Sequence, residues 1–172
     1  MKTVGHFFQP EDLRSGFDAY PAKELAASGI RALLCDIDNT LVPYEEEEPN
    51  EAVLAWLQSL AEEGIAVGLI SNNAPERVER FNRDLGLFAV PDARKPSVKG
   101  LKAFLKETGT DSDSAAVLGD QIFTDVCMAH RCGVPALLVP PIRDKKTVLF
   151  RIKRALERPF LARYLKQKAR SY

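Results

Sequence analysis

The sequence has no apolar run near the ~20 residues that a membrane-spanning helix needs, so none of its 172 residues belongs to an expected span. Its first ten residues, Met1 to Pro10, lack the apolar stretch and small-residue cleavage site of a signal peptide, which predicts an intracellular protein. Cysteines are scarce and odd in number: Cys35, Cys127 and Cys132 have no metal-type spacing, which argues against a disulfide framework and a thiolate metal site. Cys35 lies inside an apolar run and reads as a small core residue. The two histidines, His6 and His130, lie far apart in no ligand pattern, so a histidine-centred mechanism is not expected.

What is present is ordinary globular material, 45% hydrophobic and 28% charged, in a length suited to one domain with a sizeable core. The formal net charge of zero hides an asymmetry. Residues 143–172 hold eleven Lys or Arg against two acids, while residues 1–142 hold thirteen basic and twenty-two acidic residues. A body over 1–142 therefore carries a basic tail over 143–172, either packed on it or extending from it, and such a tail calls for an anionic partner.

The organising stretch is Leu33-Leu34-Cys35-Asp36-Ile37-Asp38-Asn39-Thr40-Leu41-Val42. Residues 31–35 read as a buried strand that stops at two carboxylates one residue apart. In extended chain Asp36 and Asp38 project to the same side while Ile37 turns to the core. Two like charges in one small space ask for a divalent cation, a shared proton or both. Asp36, Asp38 and Glu47 also fall at positions one, three and twelve of a calcium loop. Leu41 stands where that loop needs Gly, however, and a strand precedes it instead of a helix. The bland alternative is that the acids only end a strand.

Along the chain, residues 1–30 form an aromatic-rich lead-in with a short helix from Pro21 to Ala27. Glu45 to Glu48 reads as a solvated loop. Asn50 caps a helix that ends at Gly64, residues 65–70 form a second strand stopping at Ser71-Asn72-Asn73, and Pro75 opens another helix. Residues 88–90 form a third strand, a helix follows Lys95-Pro96-Ser97, and residues 115–118 form a fourth strand ending at Gly119-Asp120. A helix over 123–131 and a strand over 136–139 complete the body. This alternation predicts an α/β fold: a Rossmann-like parallel sheet with helices on both faces and ligands beyond the strands' C-terminal ends.

Four segments then stand in series at strand ends: Asp36-Ile37-Asp38-Asn39-Thr40-Leu41, Ser71-Asn72-Asn73, Lys95-Pro96 and Gly119-Asp120-Gln121-Ile122-Phe123-Thr124-Asp125. Together they resemble the four ordered motifs of the haloacid dehalogenase superfamily, in the form of its small class III (subfamily IIIA) phosphatases, and the whole chain is similar to the YqeG-type branch. The resemblance implies a phosphoaspartate mechanism with Asp36 as nucleophile and Asp38 as general acid and base. Ser71 and the Asn72 backbone amide would hold the phosphoryl group, and Lys95 would offset its charge. Asp36, the Asp38 carbonyl and Asp120 would hold magnesium, with Asp125 in support. Thr40 is assigned supporting hydrogen bonds, and Gln121 no role.

Superfamily members that act on small metabolites commonly carry a cap domain between these motifs. Only 32 residues separate Asp38 from Ser71 and 23 separate Ser71 from Lys95, each interval filled by one helix and one strand, so a capless core is expected. An open site suits a bulky substrate or a lid from a second subunit, a homo-oligomer. In the tail, residues 147–170 read as helix, with Val148, Leu149, Ile152, Leu156, Phe160, Leu161, Tyr164 and Leu165 on an apolar face among cations. That face could dock on the body, lie on an anionic membrane surface, or leave the cations to RNA. The YqeG-type branch resembles phosphatidylglycerophosphate phosphatases. The expected function is thus a Mg2+-dependent phosphomonoesterase, cytoplasmic or peripheral at the membrane, on a lipid phosphate or a soluble metabolite. The alternative from another class is an RNA- or ribosome-binding protein that uses the tail.

Overall fold

A computed structural model describes residues 7–143 and 148–169. Six strands form one parallel sheet: β1 (Asp12–Leu13), β2 (Ala32–Asp36), β3 (Ala66–Ile70), β4 (Phe88–Val90), β5 (Ala115–Gly119) and β6 (Ala136–Leu138), in the spatial order β1-β6-β5-β2-β3-β4. From β2 the chain winds outward through β3 and β4, then crosses back to β5 and β6 on the other side. That reversal at β2 makes the crevice between the C-terminal ends of β2 and β5 the place where a ligand fits. β1 was not foreseen. Two residues, one of them Asp12, carry too little apolar pattern to read as a strand, yet they pair with Leu137 and Leu138 at the sheet edge.

Alternation along β2 divides the core. Leu33 and Cys35 enter one apolar cluster, Ala32 and Leu34 the other, and all five residues of the strand are buried, as helices on both faces require. The first cluster packs under α1 (Ala22–Ala27), α2 (Glu51–Glu62) and α3 (Pro75–Asn82) through Leu25, Trp56, Leu57, Leu60, Val78 and Phe81. The second lies under α4 (Lys99–Thr108) and α5 (Cys127–Arg131), with Leu101, Phe104, Met128 and Ala129. Each large side chain buried this way contributes about 1.5–3 kcal/mol.

Local signals explain the helix ends. The Asn50 side chain accepts from Val53 N at 3.1 Å, a cap worth about 1 kcal/mol. Gly64 then takes the left-handed conformation (φ 70°) that stops α2. The lead-in is tied down by Tyr20, whose hydroxyl donates to the Leu138 carbonyl at 3.0 Å and whose own carbonyl accepts from Trp56 Nε1 at 2.9 Å. His130 is occupied structurally, with Nδ1 2.6 Å from the Phe7 carbonyl and Nε2 2.9 Å from Glu11. His6 lies outside the described residues.

The last helix, α6 (Val148–Lys168), runs through Pro159 and lies on the body, with Phe160, Leu161 and Tyr164 of the expected apolar face packed inward. Phe150 and Tyr164 are buried, and Phe160 forms an aromatic trio with Phe8 and Phe123 at centroid separations of 5.2–5.7 Å. Between them Glu157 is buried, paired with Arg154 at 2.8 Å. Val148, Ile152, Leu156 and Leu165, expected on the same face, are exposed instead of inward, and the Leu149 side chain lies outside the described residues. The body presents the Ile122 N–H and the Asp120 oxygens here, which take Glu157 and Arg154 as partners. Residues 147 and 170, the ends of the expected tail helix, lie outside the described residues.

Candidate active site

Each motif residue reaches the crevice from the C-terminal end of a strand. Asp36 is the last residue of β2, Ser71 follows β3 directly, and Asp120 follows β5. Beyond Asp36 the chain reverses sharply: Asn39 adopts φ 65°, and Asn39 N donates to the Val42 carbonyl at 2.7 Å. Asn tolerates that conformation, and the reversal sets Ile37 in the core with Asp38 in the crevice. Lys95 arrives on the loop after β4, where its backbone N–H donates to Asn72 Oδ1 at 2.6 Å.

The crevice floor is a buried charge network. Lys95 Nζ lies 2.6 Å from Asp36 Oδ1 and 2.7 Å from Asp125 Oδ1, and the three residues are 8%, 5% and 1% exposed. Thr40 Oγ1 donates to the other Asp36 oxygen at 2.9 Å. Asp125 reaches this position because residue 119 is glycine: a Cβ there would meet the Asp125 carboxylate carbon at 2.3 Å. The wider π-type turn Ile122–Val126 swings Asp125 back, and Gln121 N donates to its Oδ2 at 3.2 Å.

Asp36, Asp120 and Asp125 each bring one carboxylate oxygen within 4.8 Å of the others, and all three are buried. Against these three carboxylates and the buried Glu157, which shares Arg154 with Asp120, stand two cations, Lys95 and Arg154, leaving negative charge in excess where desolvation is costly. An all-oxygen cluster of that charge fits a hard divalent cation. Burial, reinforced by Asp125 and opposed by Lys95, pushes Asp36 up to about 6. Burial, with Asp36 and Asp125 nearby, raises Asp120 well above the usual carboxylate range. Burial alone would lower the Lys95 ammonium, but the Asp125 and Asp36 carboxylates outweigh it and raise it.

The Asp38 side chain stands apart from that cluster. Arg77 Nη2 meets its Oδ1 at 3.0 Å, while Ser71 Oγ and Asn73 Nδ2 each donate to Oδ2 at 3.3 Å. Arg77 also donates to the Glu46 and Glu47 carbonyls, at 2.6 and 3.0 Å, so it staples the acidic loop over Asp38. The side chains of that loop remain exposed. Sequence reasoning missed Arg77, which reads as one more surface charge on α3. It also missed α6: Arg154 pairs with the Asp120 carboxylate and donates to its carbonyl at 2.6 Å, and Phe150 and Lys153 line the crevice. The cavity has a volume of about 310 Å³ and includes Ser71, Asn72, Gln121 and Thr124 in its lining.

The family of haloacid dehalogenase-like hydrolases matches residues 11–139. The chain belongs to that family. It is 30% identical over 156 residues to the probable phosphatase YqeG of Bacillus subtilis (strain 168), with 91% of each chain covered. Among solved structures, the hydrolase is similar in fold to the cobalt-bound deoxy-D-mannose-octulosonate 8-phosphate phosphatase of Haemophilus influenzae, with TM-score 0.55, 15% identity, and 81% of this chain and 91% of that one covered. An uncharacterized protein from Listeria monocytogenes serotype 4b superposes with TM-score 0.54 at 17% identity, covering 69% of this chain and 85% of that one.

Proposed function

We propose that this hydrolase cleaves phosphate monoesters through a phosphoaspartate, with Asp36 as nucleophile and Asp38 as general acid and base. The observation that carries the reading is the buried Asp36–Lys95–Asp125 network beside Asp120, with a separately held carboxylate, Asp38, on the same crevice. Lys95 favours ionised Asp36 and would share its charge with the incoming phosphoryl oxygens. An Asp36 oxygen forms a bond to phosphorus as the ester P–O bond breaks, and Asp38 gives its proton to the departing oxygen. Water then attacks the acyl phosphate, Asp38 takes a proton from it, and phosphate leaves with Asp36 restored. Arg77, Ser71 and Asn73 hold Asp38 toward this work. Asp36, Asp120 and Asp125 would hold magnesium, which supplies further charge neutralisation on the phosphoryl group.

The substrate class we propose is a lipid phosphate such as phosphatidylglycerophosphate, met at an anionic membrane surface. Support comes from the resemblance of the YqeG-type branch to phosphatidylglycerophosphate phosphatases, from the absence of a cap, and from the outer face of α6. That face exposes Val148, Ile152 and Leu156, one turn apart, beside exposed Arg151 and Arg158. Apolar residues ringed by cations suit a lipid interface, whereas an RNA backbone gives the aliphatic side chains no burial. The test is phosphate release from phosphatidylglycerophosphate in mixed micelles with magnesium. Wild type should release phosphate, and Asp36→Asn should lose about four orders of magnitude in kcat. Full activity in Asp36→Asn would overturn the nucleophile assignment.

A further inference from the structure

We infer that α6 carries a leaving-group subsite in which Lys153 binds a second anionic group of the substrate, so that the monoesters preferred are those with a further phosphate or phosphodiester beyond the scissile one. The inference rests on the phosphomonoester reading and adds to it a recognition element outside the four motifs.

The crevice is larger than a phosphoryl group needs. Its inner end is the carboxylate floor with Lys95, and its outer wall includes Phe150 and Lys153. On the phosphoryl side the cation already has partners, since Lys95 is held between Asp36 and Asp125. Lys153 differs from it in kind. It is exposed, stands on the opposite wall, and among the described residues has no ion-pair partner. A cation without a partner that faces a cleft is poised for an anion from outside.

Its orientation is held by neighbours in the same helix. Residues 150, 153, 154 and 157 share one helical face by their spacing of three and four. Arg154 grips Asp120 through both its carboxylate and its carbonyl, and Glu157 Oε1 accepts from Ile122 N at 2.8 Å. Both contacts land on the loop after β5, so the rotation of α6 about its axis is tied to the floor itself. The Arg154 guanidinium also lies over the Phe150 ring, 4.9 Å from its centroid. Phe150, buried and held against Arg154, therefore offers a fixed apolar lining to the crevice on the same helix as Lys153. A substrate reaching from Asp36 to Lys153 would place its phosphoryl group on the floor, its linker along Phe150 and its second anion on the ammonium.

The experiment compares initial rates on glycerol 3-phosphate and glycerol 1,3-bisphosphate, which differ by the second phosphate, for the full chain and for Lys153→Gln and Lys153→Arg. Wild type should prefer the bisphosphate in kcat/KM, and Lys153→Gln should lower that preference about tenfold, the scale of a charge-assisted contact in a cleft. Lys153→Arg should retain it, and raising the salt should erode it in wild type, because the ammonium is open to screening. A preference unchanged in Lys153→Gln, including equal losses on both substrates, overturns the subsite. Failure of wild type to cleave either ester overturns the subsite, while the phosphomonoester reading stands or falls on phosphate release from phosphatidylglycerophosphate.

Discussion

The floor of the crevice and its α6 wall are built on opposite terms. On the floor the charged groups are held against one another within the chain, with negative charge in excess: Lys95 between two carboxylates, Asp38 on Arg77, Asp120 on Arg154. The wall presents one answered cation, Arg154, turned inward, one cation on the cleft, Lys153, with no ion-pair partner among the described residues, and an aliphatic stripe turned to solvent. The difference separates chemistry from recognition. A reaction centre must be organised before substrate arrives, because reorganisation during the step raises the barrier. A recognition surface must leave groups unsatisfied until the partner comes.

The largest effect that would sharpen this contrast lies on the solvent side of α6. Ile152 and Leu156 are 51% and 57% exposed. Replacing both with Ser removes about 1 kcal/mol of lipid-side burial each, or about thirtyfold in binding to vesicles of phosphatidylglycerol and phosphatidylcholine. Their exposure means that thermal stability should stay within about 0.5 kcal/mol per site. A large loss of stability, or vesicle binding equal to wild type, would return this stripe to an ordinary helix surface.

A smaller effect tests whether the wall acts on the floor. Arg154→Lys keeps the charge next to Asp120 but loses the fork that spans Asp120 and Glu157. Because charge is conserved, any change in cation affinity reports the orientation of Asp120 alone. Magnesium binding measured by titration calorimetry should weaken by about tenfold, the low end for partners that orient a metal ligand. Unchanged affinity would make α6 a wall and nothing more.

These two halves were unequally legible in the sequence. Asp36, Ser71 and Asp120 each follow or end an apolar run, so strand ends betray them, and their order and spacing with Lys95 supply the motif pattern. Arg77, Lys153 and Arg154 sit inside helices among other basic residues, where nothing local separates a site cation from a solvated one. The register of α6 was misread for a physical reason. Hydrophobicity alone turns Val148, Ile152 and Leu156 inward, but the surface that α6 covers carries the Ile122 N–H and the Asp120 carboxylate and carbonyl, which select Glu157 and Arg154. A tertiary demand for hydrogen-bond partners overrode the apolar pattern. β1 was hidden for a simpler reason, since a two-residue edge strand has no period to detect.

The smallest effect concerns the floor by itself. Burial pushes Asp36 up to about 6 and raises Asp120, so near pH 5 protons occupy oxygens that a cation must take. A raised carboxylate pKa imposes no charge penalty on the fold below the ordinary carboxylate range, and that advantage is lost as pH rises through about 6. A bound cation reverses the sign, because it favours the ionised form and must expel the proton first. Cation affinity should thus climb by about tenfold per pH unit below 6 for each proton displaced. At a fixed magnesium concentration well above the dissociation constant at both pH values, one such step amounts to about 1.4 kcal/mol, or about 3–5 °C in Tm for a domain of this size. The magnesium-induced rise in Tm should then be smaller at pH 5 than at pH 6 by that amount. An equal rise at both would mean that the three carboxylates are already ionised in the apo protein, and the floor would then hold its excess negative charge without help from a proton or a metal.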